Sequence, residues 1–322
     1  MFLEIVAVFL TFFLVLEIGV RVYLQDHLVY DVEMTKYAMT LKQDSGNPNI
    51  VFEHKPNAQA KLMGVWVRTN ADGFRGPECP LARDGKKRLM FLGDSLTFGW
   101  GVEEKDTFKD ILESQLNALV PTEIINTASG NYNVVMEANL FLEKGLKYHP
   151  DKVVLFYFIR DAEPTPHKSR FWALGYSELI TLYWSSFHRL MVNLDPAKNG
   201  YQPYYSSLYQ TGQPGLDATL KAFLLLKDTC QKQGISFQVV LLPELHELVN
   251  YPFTKEHRMI MGFLKANSID AMDLAPYFYN YKNPMDLWVA PDDAHPNKKA
   301  NFLFAKYSFD FIKKGLYLGQ GL

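Results

Sequence analysis

The sequence predicts an α/β protein with a parallel sheet covered by helices on both faces. Three observations predict it. Short apolar runs recur without the polar alternation of a half-exposed sheet, as in Leu89-Met90-Phe91-Leu92 and Val153-Val154-Leu155-Phe156. A segment with helical spacing follows each run. The order strand then helix repeats along most of the chain, which needs right-handed crossovers. The 322 residues are 48% hydrophobic and 21% charged, a globular composition that excludes a disordered chain.

The elements follow in order. Residues 25–85 are irregular, with turn signals at Asn47-Pro48, Pro56-Asn57, Asp72-Gly73 and Gly76-Pro77. Residues 64–68 alternate like a short strand. This stretch is expected to wrap on the main domain. The run ending at Gly93 is the first buried strand. Asp106 is expected to cap a helix over 106–119, with Phe108, Ile111, Leu112 and Leu116 on one face. Strands are expected over 123–126, 152–159, 235–242 and 268–274. Helices are expected over 134–147, 216–233, 256–266 and 298–314, with Gly234 and Gly315 as stop signals.

Residues 162–215 break the alternation. They are rich in aromatics, including Phe171, Trp172, Tyr183, Trp184, Phe187 and Tyr205. Segments this long tend to be functional or to carry structure of their own. Residues 177–192 have helical character. A wall over a binding site and an extra helix on the domain edge both fit.

The N-terminus carries an uncharged run over residues 5–16, IVAVFLTFFLVL. It is shorter than the roughly 20 residues that span a bilayer, but extends over 2–24 if Glu4, Glu17 and Arg21 are tolerated. Glu17 and Arg21, four apart, can pair on a helix. No small-residue cleavage site follows, so an uncleaved membrane anchor over residues 1–24 is expected rather than a removed signal peptide. A buried core helix is the other reading. Arg21 alone codes orientation poorly.

Charge and motif content narrow the function. Thirty-three basic residues against 35 acidic ones give a net charge of −2, which argues against a nucleic-acid partner. Cys79 and Cys230 are too few for a disulfide scaffold or a cysteine-only metal cluster, and their pairing is open. No metal-ligand spacing, dinucleotide fingerprint or phosphate loop occurs, so neither metal nor cofactor is expected.

Three features carry chemistry. Ser95, in Gly93-Asp94-Ser95-Leu96, follows a buried strand directly, where parallel sheets form their ligand crevice. Backbone N–H groups there can stabilise an oxyanion. A turn serine capping a helix has the same look. Asp292-Asp293-Ala294-His295 supplies a general base for a serine nucleophile, with Asp292 able to orient the imidazole within one turn. A surface turn capping the last helix also fits. Gly130, in Ala128-Ser129-Gly130-Asn131, lets backbone approach a ligand, or makes a turn. Glu244 and His246, at the next strand end, could line the same crevice. His167 and His188, in the insertion, read as surface or core residues rather than catalysts.

Taken together, Gly93-Asp94-Ser95-Leu96, Gly130 and Asp292-x-x-His295 resemble, in order and position, the motif blocks of the SGNH/GDSL hydrolases. The resemblance covers about residues 86–315. The segment Asn70-Ala-Asp-Gly-Phe-Arg-Gly-Pro also resembles a lead-in of membrane-anchored bacterial members. The resemblance implies a three-layer α/β/α sandwich with about five mostly parallel, flavodoxin-like strands. It implies Ser95 as nucleophile, His295 as base and Asp292 as its orienting carboxylate. The N–H groups of Ser95 and Gly130 would form the oxyanion hole, with Asn131 and Asp161 near substrate. One position departs from the pattern: Arg160 stands where the family's third block has an asparagine oxyanion donor. Arg160 could replace that donor, bind an anionic group, or mark a weakened site.

The expected organisation is an anchor (1–24), an extension packed on the main domain (25–85) and an SGNH-like domain (86–318) with an insertion at 162–215. The expected activity is an esterase or deacylase on an ester or acetyl group of a lipid or carbohydrate, the domain lying outside the cytoplasm. A polysaccharide O-acyltransferase with the same triad, and a non-catalytic carbohydrate-binding or assembly protein, are the alternatives.

Overall fold

The computed structural model describes residues 1–167, 175–194 and 200–316, with backbone alone at 192 and 193. Phe171 and Trp172 lie outside the described residues. The centre is a five-stranded parallel sheet: β1 (Lys87–Gly93), β2 (Thr122–Asn126), β3 (Lys152–Tyr157), β4 (Ser236–Leu241) and β5 (Asp270–Asp273), in spatial order β2-β1-β3-β4-β5. Leu89 pairs with Ile124 on one side and Lys152 on the other. This is the doubly wound order, with the chain reversing direction across the sheet between β1 and β3. β3 is buried along its whole length, which is why it reads as a continuous apolar run.

Alternation within β3 sorts the two faces. Phe156 meets Phe91 and Phe108, each with ring centroids 4.7 Å away. Its neighbour Tyr157 points the other way, to Phe223 at 5.6 Å. The first face is covered by α3 (Phe108–Asn117) and α8 (Lys298–Lys313), which meet through Phe108 and Phe304. The second is covered by α4 (Val134–Leu140), α6 (Pro214–Gln233) and α7 (Thr254–Ala266). Thr107, Asn133 and Asn297 cap α3, α4 and α8 through their side chains. Gly234 takes φ +68° and ends α6.

Boundaries differ from expectation where side chains compete for the backbone. Asp106 closes a short 3₁₀ turn, and Thr107 takes over as the cap of α3. The helix expected over 134–147 changes after Leu140 into a π turn and then a 3₁₀ turn. At Gly145 a Cβ would lie 2.7 Å from Met90 Sδ, so the chain comes down onto β1 there. β3 stops at Tyr157 because Asp161 Oδ2 accepts the Phe158 N–H at 2.7 Å and starts a 3₁₀ turn.

The N-terminal region is more ordered than its turn signals suggest. Helix α1 (Phe2–Tyr23) is followed by α2 (Tyr30–Leu41) and two antiparallel hairpins, Lys42–Asp44 with Phe52–His54 and Gln59–Leu62 with Val65–Arg68. Tyr37, Leu41, Leu62 and Val67 close a second small core on Phe98 and Trp100. In the insertion, α5 (Glu178–Leu194) and a short helix, Tyr201–Ser207, are formed. Helix α1 is 22 residues long, an 18-residue window of it has a mean hydropathy of 2.4, and it is long and apolar enough to cross a membrane. Cys79 and Cys230 are both free thiols.

Candidate active site

The site is built at the carboxyl end of β1. Gly93 ends the strand where a Cβ would come within 2.2 Å of Thr97 Oγ1, so the turn into the next helix needs a residue without a side chain. Asp94 caps that helix, its Oδ1 accepting the Leu96 N–H at 2.8 Å. Gly99, at φ +83°, ends it after a single turn, Ser95–Phe98. Ser95 is held on this tight elbow. Arg75, from the N-terminal segment, clamps the elbow's far end by donating to the carbonyls of Phe98, Gly99 and Val102. Arg75 is buried, and burial brings its pKa down to about 10. The Asn70-Ala-Asp-Gly-Phe-Arg segment thus fixes the loop that carries Ser95.

His295 reaches Ser95 from a hairpin formed by Trp288–Ala290 and Asp293–Pro296. Ser95 Oγ lies 2.8 Å from His295 Nε2. His295 Nδ1 lies 2.5 Å from Asp293 Oδ1. Together these bonds put the proton on Nδ1 and leave Nε2 as the acceptor for the serine hydroxyl. Asp293 also accepts the His295 backbone N–H at 3.1 Å and the Trp100 indole N–H at 2.8 Å. Burial opposes its charge, but the imidazole and these donors outweigh burial and hold the carboxyl below its ordinary range.

This corrects the expected role of Asp292. Its carboxylate lies at the crevice mouth, 3.5 Å from the Tyr30 N–H and 3.9 Å from Arg189, with no bond to His295 among the described residues. Asp293, two residues before His295 in the same strand, shares its face, whereas Asp292 lies in the turn before the strand. Spacing within one turn admits both residues; strand geometry selects the second.

The oxyanion donors also depart from expectation. The Gly130 N–H is taken by the Tyr37 hydroxyl at 3.0 Å. Tyr37 is fully buried, and its ring would lie 2.8 Å from a Cβ at position 130. Its hydroxyl in turn lies 2.5 Å from His54 Nε2, while His54 Nδ1 lies 3.1 Å from the Gly73 carbonyl. Burial pushes the His54 pKa down to about 3, so the ring is neutral and the chain of bonds is satisfied end to end. Lys42 covers the same turn, donating to the Gly130 carbonyl at 2.6 Å and to Asn131 Oδ1 at 3.4 Å. Gly130 and Asn131 are therefore roofed by the N-terminal segment rather than presented to the crevice. Asp161 is also buried, bonded to the Phe158 N–H and away from the pocket lining.

Arg160 does line the crevice, together with Ser95 and His295. Its Nε donates to Glu163 Oε1 at 3.0 Å. Burial works against the guanidinium charge, but Glu163 more than offsets it and keeps Arg160 cationic. Tyr30, Tyr205, Glu244 and His246 line the same crevice. Tyr30 stands over the imidazole, with ring centroids 5.6 Å apart. His246 pairs with the buried Glu244 and stacks on Tyr201 at 4.5 Å. Trp100, Tyr30 and Arg75 escaped sequence reasoning; only the Asn70–Pro77 motif hinted at Arg75. Three more carboxylates, on Asp94, Glu137 and Asp161, are buried near one another. Burial raises the pKa of each, and their mutual repulsion raises those of Glu137 and Asp161 further. No group of three or more potential metal ligands occurs among the described residues.

No family model and no curated protein matches the chain. Among solved structures it is similar to the acetyl xylan esterase AlAXEase, at 18% identity and a TM-score of 0.46, over 70% of this chain and 99% of that one. It is similar to a GDSL-like lipase from Bacteroides thetaiotaomicron, at 15% identity and 0.44, over 73% and 92%. It is also similar to the acetylxylan esterase Axe2 from Geobacillus stearothermophilus, at 14% identity and 0.46, over 72% and 96%.

Proposed function

We propose that the chain is a serine ester hydrolase of the SGNH type, held at a membrane by its first helix. The single observation that carries this reading is the continuous line Ser95–His295–Asp293, with bonds of 2.8 and 2.5 Å. It opens into a crevice at the carboxyl end of a parallel sheet. A serine activated by a hydrogen-bonded imidazole, itself oriented by a buried carboxylate, is the arrangement that acyl transfer needs.

In this reading His295 Nε2 takes the Ser95 proton as Oγ bonds to the ester carbonyl carbon. The tetrahedral oxyanion collapses, and the alcohol leaves with the proton from Nε2. Water then attacks the acyl-serine, giving its proton to Nε2. As the second tetrahedral intermediate collapses, Nε2 returns that proton to the departing Ser95 Oγ, releasing the carboxylic acid and restoring the hydroxyl and the neutral imidazole. Asp293 stays ionised throughout and stabilises the imidazolium. The oxyanion is met by the Ser95 N–H and the Arg160 guanidinium, since the Gly130 N–H is engaged with Tyr37. Residues 1–24 serve as the anchor, 25–85 as a brace for the Ser95 elbow and the Gly130 turn, and 86–318 as the hydrolase domain. The substrate is an ester or acetyl group on a lipid or carbohydrate outside the cytoplasm.

A non-catalytic role gains support from one observation, the engaged Gly130 N–H. The test is labelling of the full-length protein by a fluorophosphonate, beside hydrolysis of p-nitrophenyl acetate. Labelling and turnover that both vanish in Ser95→Ala support the hydrolase. Labelling without turnover points to an acyltransferase awaiting its acceptor, and the lack of both points to a binding protein.

A further inference from the structure

Helix α5 carries an exposed apolar stripe. Tyr183, Trp184, Phe187, Leu190, Met191 and Leu194 recur at the spacing of one helix face, and each is between 45% and 73% exposed. Thr181 and Ser185 are buried on the opposite side, where α5 packs on α2. Arg189 belongs to that polar side and reaches Asp292 at 3.9 Å. A surface helix of a soluble domain has the opposite arrangement, with its apolar face inward.

The same helix is pinned to α1. Glu17, buried at the carboxyl end of α1, accepts from Ser177 Oγ at 2.7 Å and from the backbone N–H groups of Glu178 and Leu179 at 3.0 and 3.1 Å. It thus caps α5. Arg21 bonds Glu17 at 2.7 Å and donates to the Tyr176 carbonyl at 2.8 Å. This polar knot sets where the membrane can be. The knot cannot sink into the hydrocarbon core without burying charge in lipid. It therefore sits at the bilayer surface, and the first turn of α5, pinned to Glu17, sits there with it.

The geometry points to α5 as a second membrane contact, an interfacial helix whose Tyr183–Leu194 stripe lies in the headgroup layer beside the anchor. Aromatic residues suit that layer, where a ring meets apolar chains and its polar edge stays wet. The partner is a lipid surface, not a second protein. Because α5 touches Asp292 at the crevice mouth, this docking sets Ser95 close to esters borne by amphiphiles. The inference rests on the reading of α1 as an anchor.

The test uses the full chain in vesicles of phosphatidylcholine and phosphatidylglycerol, in a Cys79→Ser background. Single nitroxides are placed by Trp184→Cys, Phe187→Cys and Met191→Cys. Phe9→Cys reports on the anchor, and Leu119→Cys, exposed elsewhere, is the aqueous reference. Accessibility to oxygen relative to a water-soluble nickel chelate is expected to be several-fold higher at 184, 187 and 191 than at 119, and to approach that at 9. Values at the three sites equal to that at 119, with a high value at 9, overturn the interfacial helix and leave the anchor standing. A low value at 9 as well overturns both. Labels shielded from both reagents mean protein covers the stripe, which also overturns the proposal.

Discussion

The indole N–H of Trp100 and the carboxylate of Asp293 meet at 2.8 Å across 193 residues of sequence. That bond ties the loop that follows the Ser95 helix to the hairpin that carries His295, and with the imidazole it favours the ionised form of Asp293.

Removing that donor tests the tie. Trp100→Phe keeps an aromatic ring in the small N-terminal core but leaves Asp293 Oδ2 without its partner. A hydrogen bond to a charged group contributes about 1.5–3 kcal/mol, so the melting temperature falls. The Asp293 carboxyl, now held below its ordinary range, rises toward it. A depressed carboxyl pKa adds stability above the unfolded value that is lost as pH falls through the folded one. The variant therefore loses less stability than the parent on acidification below pH 4, even though it is weaker at neutrality. Thermal melts across that range check it.

Arg160 lines the crevice with Ser95 and His295, and the proposed reaction uses it as an oxyanion donor. Arg160→Met keeps length and loses the donors. Loss of one oxyanion donor costs about 10²–10³ in kcat, and that loss is expected with p-nitrophenyl acetate while fluorophosphonate labelling slows but persists. An unchanged kcat would assign Arg160 to binding alone.

Tyr37→Phe removes the hydroxyl that engages Gly130 and His54 while keeping the ring. A buried donor left unpaired costs about 1–3 kcal/mol, so stability drops. The rate stays within the same order of magnitude if the Gly130 N–H is not a working oxyanion donor. Circular dichroism melts and steady-state kinetics on the same preparation separate the two effects.

The buried carboxylates predict a pH effect of opposite sign. Glu137 is buried with no hydrogen-bond partner on either oxygen among the described residues, and its pKa is raised by burial and then by Asp94. A raised carboxyl favours the folded state below the unfolded pKa, and that advantage is lost as pH rises. Stability is expected to decline from pH 5 toward pH 9, and Glu137→Gln is expected to flatten the decline. A parent whose melting temperature does not change over that range would contradict the assignment.

The parallel sheet was legible because its strands are buried on both faces and so read as plain apolar runs. Ser95 and His295 were legible because short motifs sit at strand ends. What the sequence could not show depended on contacts between distant segments. Asp292 and Asp293 are adjacent and chemically alike, and only where the strand begins decides which one shares the face of His295. Gly130 looked free because Tyr37, 93 residues earlier, gave no sign in its turn-rich surroundings that it belongs to a helix packed on that turn. Trp100 read as a core residue, which it is; its N–H partner is a tertiary fact. The aromatic insertion was visible as composition, but the outward direction of its stripe follows from Glu17 capping α5.

The line Ser95–His295–Asp293 is tested by comparing Asp293→Asn with Asp292→Asn in the rate of p-nitrophenyl acetate hydrolysis. Asp293→Asn is expected to lose about 10⁴ in kcat, because the imidazole loses its orienting anion and takes the wrong tautomer. Asp292→Asn, whose carboxylate faces Tyr30 and Arg189, is expected to keep a near-parental rate. A large loss in Asp292→Asn with activity kept in Asp293→Asn would contradict that line.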